Sequence, residues 1–146
     1  MVEKNNFPYT PNEDESEKAS NSYLLSLIAI MTGFPIPLFN LIAAVIFYFG
    51  NKKGTYFVRW HCMHVLLAQA ITMIVNSIAV YWTVGVLLWN FTLTNNFIAF
   101  ILTAAIFNIS EFIATIYSAI QTRKGKHISW LIFGPLTDLL VKDINV

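Results

Sequence analysis

The sequence predicts an all-α integral membrane protein. The expected architecture is a small helical bundle with two full transmembrane helices. A Pro/Gly-broken hydrophobic pair precedes them, and a C-terminal interfacial amphipathic segment follows. Three observations predict this class. Hydrophobic residues fill 56% of the 146 positions and charged residues 12%, where soluble domains carry about 25% charged residues. Mean hydropathy is +0.59, more apolar surface than one small soluble core can hide. Lys and Arg also gather in two inter-run loops and avoid a third, the asymmetry expected of a multi-pass chain.

Taken in order, residues 1–20 read "MVEKNNFPYTPNEDESEKAS". Glu13, Asp14, Glu15 and Glu17 cluster beside Pro8 and Pro11, so this stretch is expected to be a disordered, solvated acidic tail. It has no basic region leading into a short apolar run, so no signal peptide is expected. Residues 21–146 form the membrane domain. Its first apolar run, 23–49, exceeds the about 20 helical residues that cross a bilayer core, but Gly33, Pro35 and Pro37 interrupt its middle. Proline removes a backbone donor and restricts the residue before it. Two short helices in a re-entrant hairpin, or one kinked span, satisfy the pattern.

The loop Asn51–Arg59 carries Lys52, Lys53 and Arg59. A transmembrane helix is expected over 60–83, with Tyr81 and Trp82 at the level of an interfacial aromatic belt. The loop Asn90–Asn96 is uncharged, and Asn90-Phe91-Thr92 within it has the form of a glycosylation sequon. A second transmembrane helix is expected over 97–120, followed by the basic "QTRKGKH". The positive-inside rule places both basic loops in the cytoplasm, hence the C-terminus too. A single span at 23–49 puts the N-terminus outside, whereas a re-entrant pair puts it inside. The last segment, 128–145, is too short to span and is broken by Gly134-Pro135. Leu136, Leu139, Leu140 and Ile144 share one helical face, while Asp138, Lys142 and Asp143 are expected in water, as in an interfacial amphipathic segment.

Two polar stripes run through the spans. His61, His64, Gln69, Thr72, Asn76 and Thr83 fall in one sector roughly 140° wide. Asn108, Glu111, Thr115, Ser118 and Thr122 form the other. Antiparallel neighbours turn such stripes toward each other, because polar groups facing lipid lack partners. The register expected from this sets Glu111 near Gln69 and Thr72, Asn108 near Asn76, and His64 near Ser118. Glu111 is the one acid well inside an apolar run, about 15 Å from the helix end. It must be protonated, paired or wetted there, so it is either a relay site or an interhelical hydrogen bond.

His61 and His64 share a face, but zinc needs three or four protein ligands. Cys62 points away and Glu111 is distant. Haem requires an axial histidine deep in the bundle, whereas these lie at its mouth. No metal and no cofactor are therefore expected. No nucleophile, base and orienter come together, and no phosphate loop occurs, so no enzyme is expected. Cys62 is the one cysteine, which excludes an internal disulfide. A net charge of +1 with no basic stripe argues against nucleic acid. Phe57, Val58, Arg59, Trp60 and His61 read as an interface anchor, with Arg59 reaching headgroup phosphates.

The motif "YFVRWHCMHVLLAQA", the broken pair before it and "GKHISWLIFGPL" after it resemble a bacterial family of small membrane proteins of unknown function. That family is similar to the twenty-kilodalton subunit of the chloroplast Tic import translocon. Phe57, Val58, Arg59, Trp60, His61 and Met63 carry the likeness, and His64 departs from it, standing where glutamine is usual. The resemblance implies four helical segments with both termini cytoplasmic, in a bacterial inner membrane. It also implies a scaffold or accessory subunit of a translocation or envelope complex, with other membrane proteins or further copies of itself as partners. The residues leave open two alternatives: a small proton- or ion-coupled transporter using Glu111, and haem or metal binding through His61 and His64.

Overall fold

A computed structural model describes residues 2–3, 7–31 and 38–141. Its elements are β1 (Val2–Glu3), α1 (Glu13–Met31), α2 (Leu38–Gly50), α3 (Tyr56–Leu88), α4 (Asn95–Arg123), β2 (Ile128–Ser129) and α5 (Phe133–Leu140). The expected break at Gly33, Pro35 and Pro37 lies outside the described residues. So do Lys142, Asp143 and Ile144.

The acidic stretch is not a disordered tail along its whole length. From Glu13 onward it is helix. The Glu15 amide donates to Asn12 Oδ1 at 2.9 Å, and the Asn12 amide donates back to Glu15 Oε2 at 2.7 Å. This reciprocal capping box satisfies two amides that a helix start leaves unpaired. Glu13, Asp14 and Glu15 occupy the first turn, where negative charge complements the helix dipole. The acids that suggested solvation are a helix start. Beyond them Ala19, Ser20, Ser22 and Ser26 are buried, small side chains that let helices approach closely.

The two long helices outrun their sequence boundaries at both ends. α3 has 33 residues and α4 has 29, about 50 and 43 Å long. Phe57 and Val58, expected in a loop, are buried in the first turn of α3. At its other end Gly85 does not stop α3. The Phe91 ring closes over it, and its carbonyl accepts from the amides of Trp89 and Phe91. Asn90, with φ 55°, then reverses the chain. Thr94 caps α4 through the Phe97 amide at 3.2 Å. Gly125, at φ +75°, ends α4. The Gly125 amide donates to Thr122 O and the Lys126 amide to Gln121 O, the paired closure that a left-handed glycine permits.

Helix directions follow from contacts. Glu17 meets Arg123 at 3.0 Å and Ser20 Oγ donates to Ala119 O at 2.9 Å, so α1 runs antiparallel to α4. Tyr9 contacts the Phe57 amide and Tyr23 contacts His61, so α1 runs alongside α3. α2 returns against α1 and α3, with Ala44, Tyr23 and Val65 in one cluster. Val2 and Glu3 pair with Ser129 and Ile128. The described N-terminal segment, the 51–55 loop and the 124–127 turn therefore share one end of the molecule, the capped end.

Pro135 does not break the last segment. It falls in the first turn of α5, where amides have no partner within the helix in any case. Asp138 is exposed, as expected, and also accepts a hydrogen bond from Trp60 Nε1 at 2.8 Å. Leu136, Leu139 and Leu140 do share exposure, opposite Phe133, Gly134 and Thr137, which face the bundle.

α3 and α4 are the described helices long and apolar enough to cross a membrane. Ile71, Ile74, Ile78, Leu102, Ile106, Ile109 and Ile113 are exposed along them. Soluble monomers rarely expose apolar surface on this scale. The chain is an all-helical membrane bundle with its polar groups inside.

Candidate functional site

The seam between the helices has two layers. The first lies at the capped end and gathers all three histidines of the chain. His61 is fully buried. Its Nδ1 lies 2.9 Å from the Tyr23 hydroxyl and its Nε2 lies 3.3 Å from His127 Nδ1. One assignment satisfies both contacts: Tyr23 O–H donates to His61, and His61 Nε2–H donates to His127. Trp60 stacks on His64 at 4.9 Å and 24° between ring planes, and meets His127 edge-on at 4.2 Å. Trp130 meets His64 edge-on at 5.2 Å, and its Nε1 donates to Ser118 Oγ at 2.8 Å. Phe7 packs on His127 from the N-terminal segment.

This geometry corrects the anchor reading. Phe57, Val58, Trp60 and His61 are buried inside the chain, not presented to lipid headgroups. The N-terminal segment and residues 127–141 fold over them. Arg59 alone of the five is half-buried.

The second layer lies one to three turns deeper. Gln69 Nε2 donates to Glu111 Oε1 at 2.8 Å, and Thr115 Oγ1 donates to the same oxygen at 3.1 Å. Glu111 is 5% exposed, and Thr72 is buried beside this layer. Asn76 and Asn108 exchange hydrogen bonds at 2.9 and 2.7 Å. The structure thus joins Gln69 to Glu111 and Asn76 to Asn108, and it links His64 to Ser118 through Trp130. Thr83 instead turns back on its own helix, donating to Ala79 O.

Beside the second layer is a pocket of about 220 Å³ lined by Phe107, Ser110, Glu111, Ala114, Trp130 and Phe133. Its walls are largely hydrocarbon, and Ser110 spends its hydroxyl on Ile106 O. Glu111 is the one ionisable residue among those that line it.

The sequence reading missed four contributors: Tyr23, His127, Trp130 and Asp138. Indole N–H groups in apolar segments need acceptors, and that signal points to Ser118 and Asp138 as partners for Trp130 and Trp60. Nothing in the sequence pairs Tyr23 or His127 with His61.

The chemistry open to the site is limited. His61 commits both ring nitrogens, and aromatic rings wall His64. Among the described residues, no group of three or more His, Cys, Asp or Glu is placed to hold a metal ion. Haem or metal ligation through His61 and His64 therefore finds no support in the geometry. Cys62 is a buried free thiol.

A family model described as the magnetosome magnetite crystal formation protein family, MamF/MmsF, matches residues 19–137. The match runs from α1 into α5. No curated protein and no solved structure matches the chain, and the likeness to the chloroplast translocon subunit finds no support.

Proposed function

The chain belongs to the MamF/MmsF magnetosome family, and on that premise we propose that it is a non-enzymatic accessory subunit of the magnetosome membrane. It acts in magnetite crystal formation as a structural component, alongside other membrane proteins or further copies of itself. The observation that carries this reading is the direction of its polar groups. Most of the seam's polar side chains bond within the chain, the buried hydroxyls of Thr72 and Thr122 excepted, while the surface turned outward is largely apolar. Such a chain is built to reside in lipid and keep its shape there.

Its placement follows from charge. Lys52, Lys53 and Arg59 lie at the capped end with Arg123, Lys124 and Lys126, whereas residues 90–94 at the far end are uncharged. The capped end is cytoplasmic by the positive-inside rule. The contacts of Glu17 with Arg123 and of β1 with β2 support a reading in which both termini lie on that side. α1 and α2 form the re-entrant pair, and α3 and α4 span. Translocation of protein, which the resemblance implied, has no place in this reading.

A second reading, ion coupling through Glu111, is favoured by the pocket that this residue helps to line. One experiment addresses both. A magnetite-forming bacterium lacking its own family members is complemented with this chain or with Glu111→Gln. Restored crystal size with both versions, seen by electron microscopy, supports the structural role. Restoration only by the unmodified chain supports ion coupling. No change in crystals with either version contradicts a role in crystal formation.

A further inference from the structure

The two halves of the molecule differ in cross-section. Met31 lies about 12 Å of helix beyond Tyr23, which brings the described end of α1 level with Gln69 of α3. Leu38 lies about 9 Å before Ala44, which places the start of α2 near Ile71. α3 continues for about 25 Å more. Beyond Thr72 on that stretch, Gly85 is the one buried α3 residue, and on the α4 side Ala104 is the one before Asn108. The far half, among the described residues, is thus α3 and α4 alone.

The capped half holds more than the α1–α2 pair. Residues 128–140 also dip into it and return. Ile128 pairs with Glu3 at the capped end, and Trp130 reaches Ser118. Phe133 packs with Ala68 and Ala114 and shares the pocket wall with Glu111 and Phe107. Asp138 is back at Trp60. Ala114 is about 14 Å of helix inside Arg123, so this excursion reaches nearly half of a bilayer core about 30 Å thick. Its turn exposes Leu131 at 75% and Ile132 at 71%, next to exposed Leu136, Leu139 and Leu140. Leu24, Ile28, Ile42, Ile46 and Phe49 are exposed around the same half.

We propose that the chain is a one-sided membrane wedge, whose α1–α2 pair and 128–140 excursion displace lipid from the leaflet at the capped end alone. The surplus is two to three helix cross-sections, on the order of 200 Å² per molecule. The occupant of the exposed apolar face is the acyl-chain region of that leaflet. A second copy would leave a one-sided patch, but the exposed residues lie on α1, α2, α4 and α5 and surround the half. A bilayer accommodates the wedge best where that leaflet is convex. The inference rests on the re-entrant placement proposed above.

The test uses the full chain, carrying a cleavable tag at each end, reconstituted sparsely into phosphatidylethanolamine–phosphatidylglycerol vesicles of mixed diameter. Single-vesicle fluorescence gives protein per unit membrane area, and external protease gives orientation. A several-fold higher density in the smallest vesicles, for molecules with the capped end outward, is expected. Leu131→Gln with Ile132→Gln should lessen that enrichment, while Leu87→Gln at the far end should not. Equal density at all diameters, with both tags cut from one face, would overturn the wedge and spare the placement. Tags cut from opposite faces would overturn the placement itself. Cross-linking of Leu131→Cys between copies, in a Cys62→Ser background, would make a second copy the occupant and also overturn the proposal.

Discussion

At the scale of single residues, the seam shows what a polar group inside a membrane bundle does. Glu111 Oε1 takes one donor from each helix, Gln69 on α3 and Thr115 on α4. A glutamine at 111 can accept the same two bonds through its amide oxygen. Glu111→Gln should therefore leave thermal stability in detergent almost unchanged. Gln69→Leu removes the cross-helix donor and should cost about 0.6 kcal/mol, the usual size of such bonds in membranes. Thermal unfolding followed by intrinsic fluorescence checks both, and equal large losses would contradict the assignment. These pairs were legible in the sequence because polar residues amid lipid-facing ones leave few places to turn. The anchor motif was misread for the opposite reason. Trp60 and His61 look interfacial from local sequence, and only residues far away, Tyr23, His127 and Asp138, bury and bond them.

The elements divide by how local their causes are. The ends of α4 follow from Thr94 and Gly125, and both spans show plainly in the apolar runs. The start of α1 is equally local, since Asn12 and Glu15 have capping-box spacing, but their acidic neighbours masked it. Asn12→Ala should destabilise α1 by about 1 kcal/mol, the usual cost of a lost N-cap. It should also loosen the Tyr9 contact with Glu15. Faster hydrogen exchange over 13–20 than over 60–70 is the expected signature, and unchanged exchange there would show that the cap contributes nothing. The C-terminal segment was half legible. Its outward leucines follow from periodicity. Its inward face does not, because Phe133, Gly134 and Thr137 are buried only by packing of α5 on the long helices. Gly134 sits close against Ser129, whose hydroxyl an added Cβ would force to turn away.

For the whole molecule, hydropathy and charge asymmetry made the membrane class readable, and the family match places the chain among magnetosome proteins. What composition cannot convey is the uneven filling of the bilayer proposed above. That proposal turns on where α1, α2 and residues 128–140 stop along α3 and α4, which follows from long-range contacts. The central claim is that α1 and α2 enter and leave by the same face, with only α3 and α4 crossing. Single cysteines in a Cys62→Ser background, at Asn12, Lys53, Asn95 and Lys126, test it with a membrane-impermeant thiol reagent applied to intact spheroplasts. Labelling at Asn95 alone, with the other three reacting only after lysis, is the predicted result. Labelling of Asn12 from outside would make residues 23–49 a full span and contradict the account.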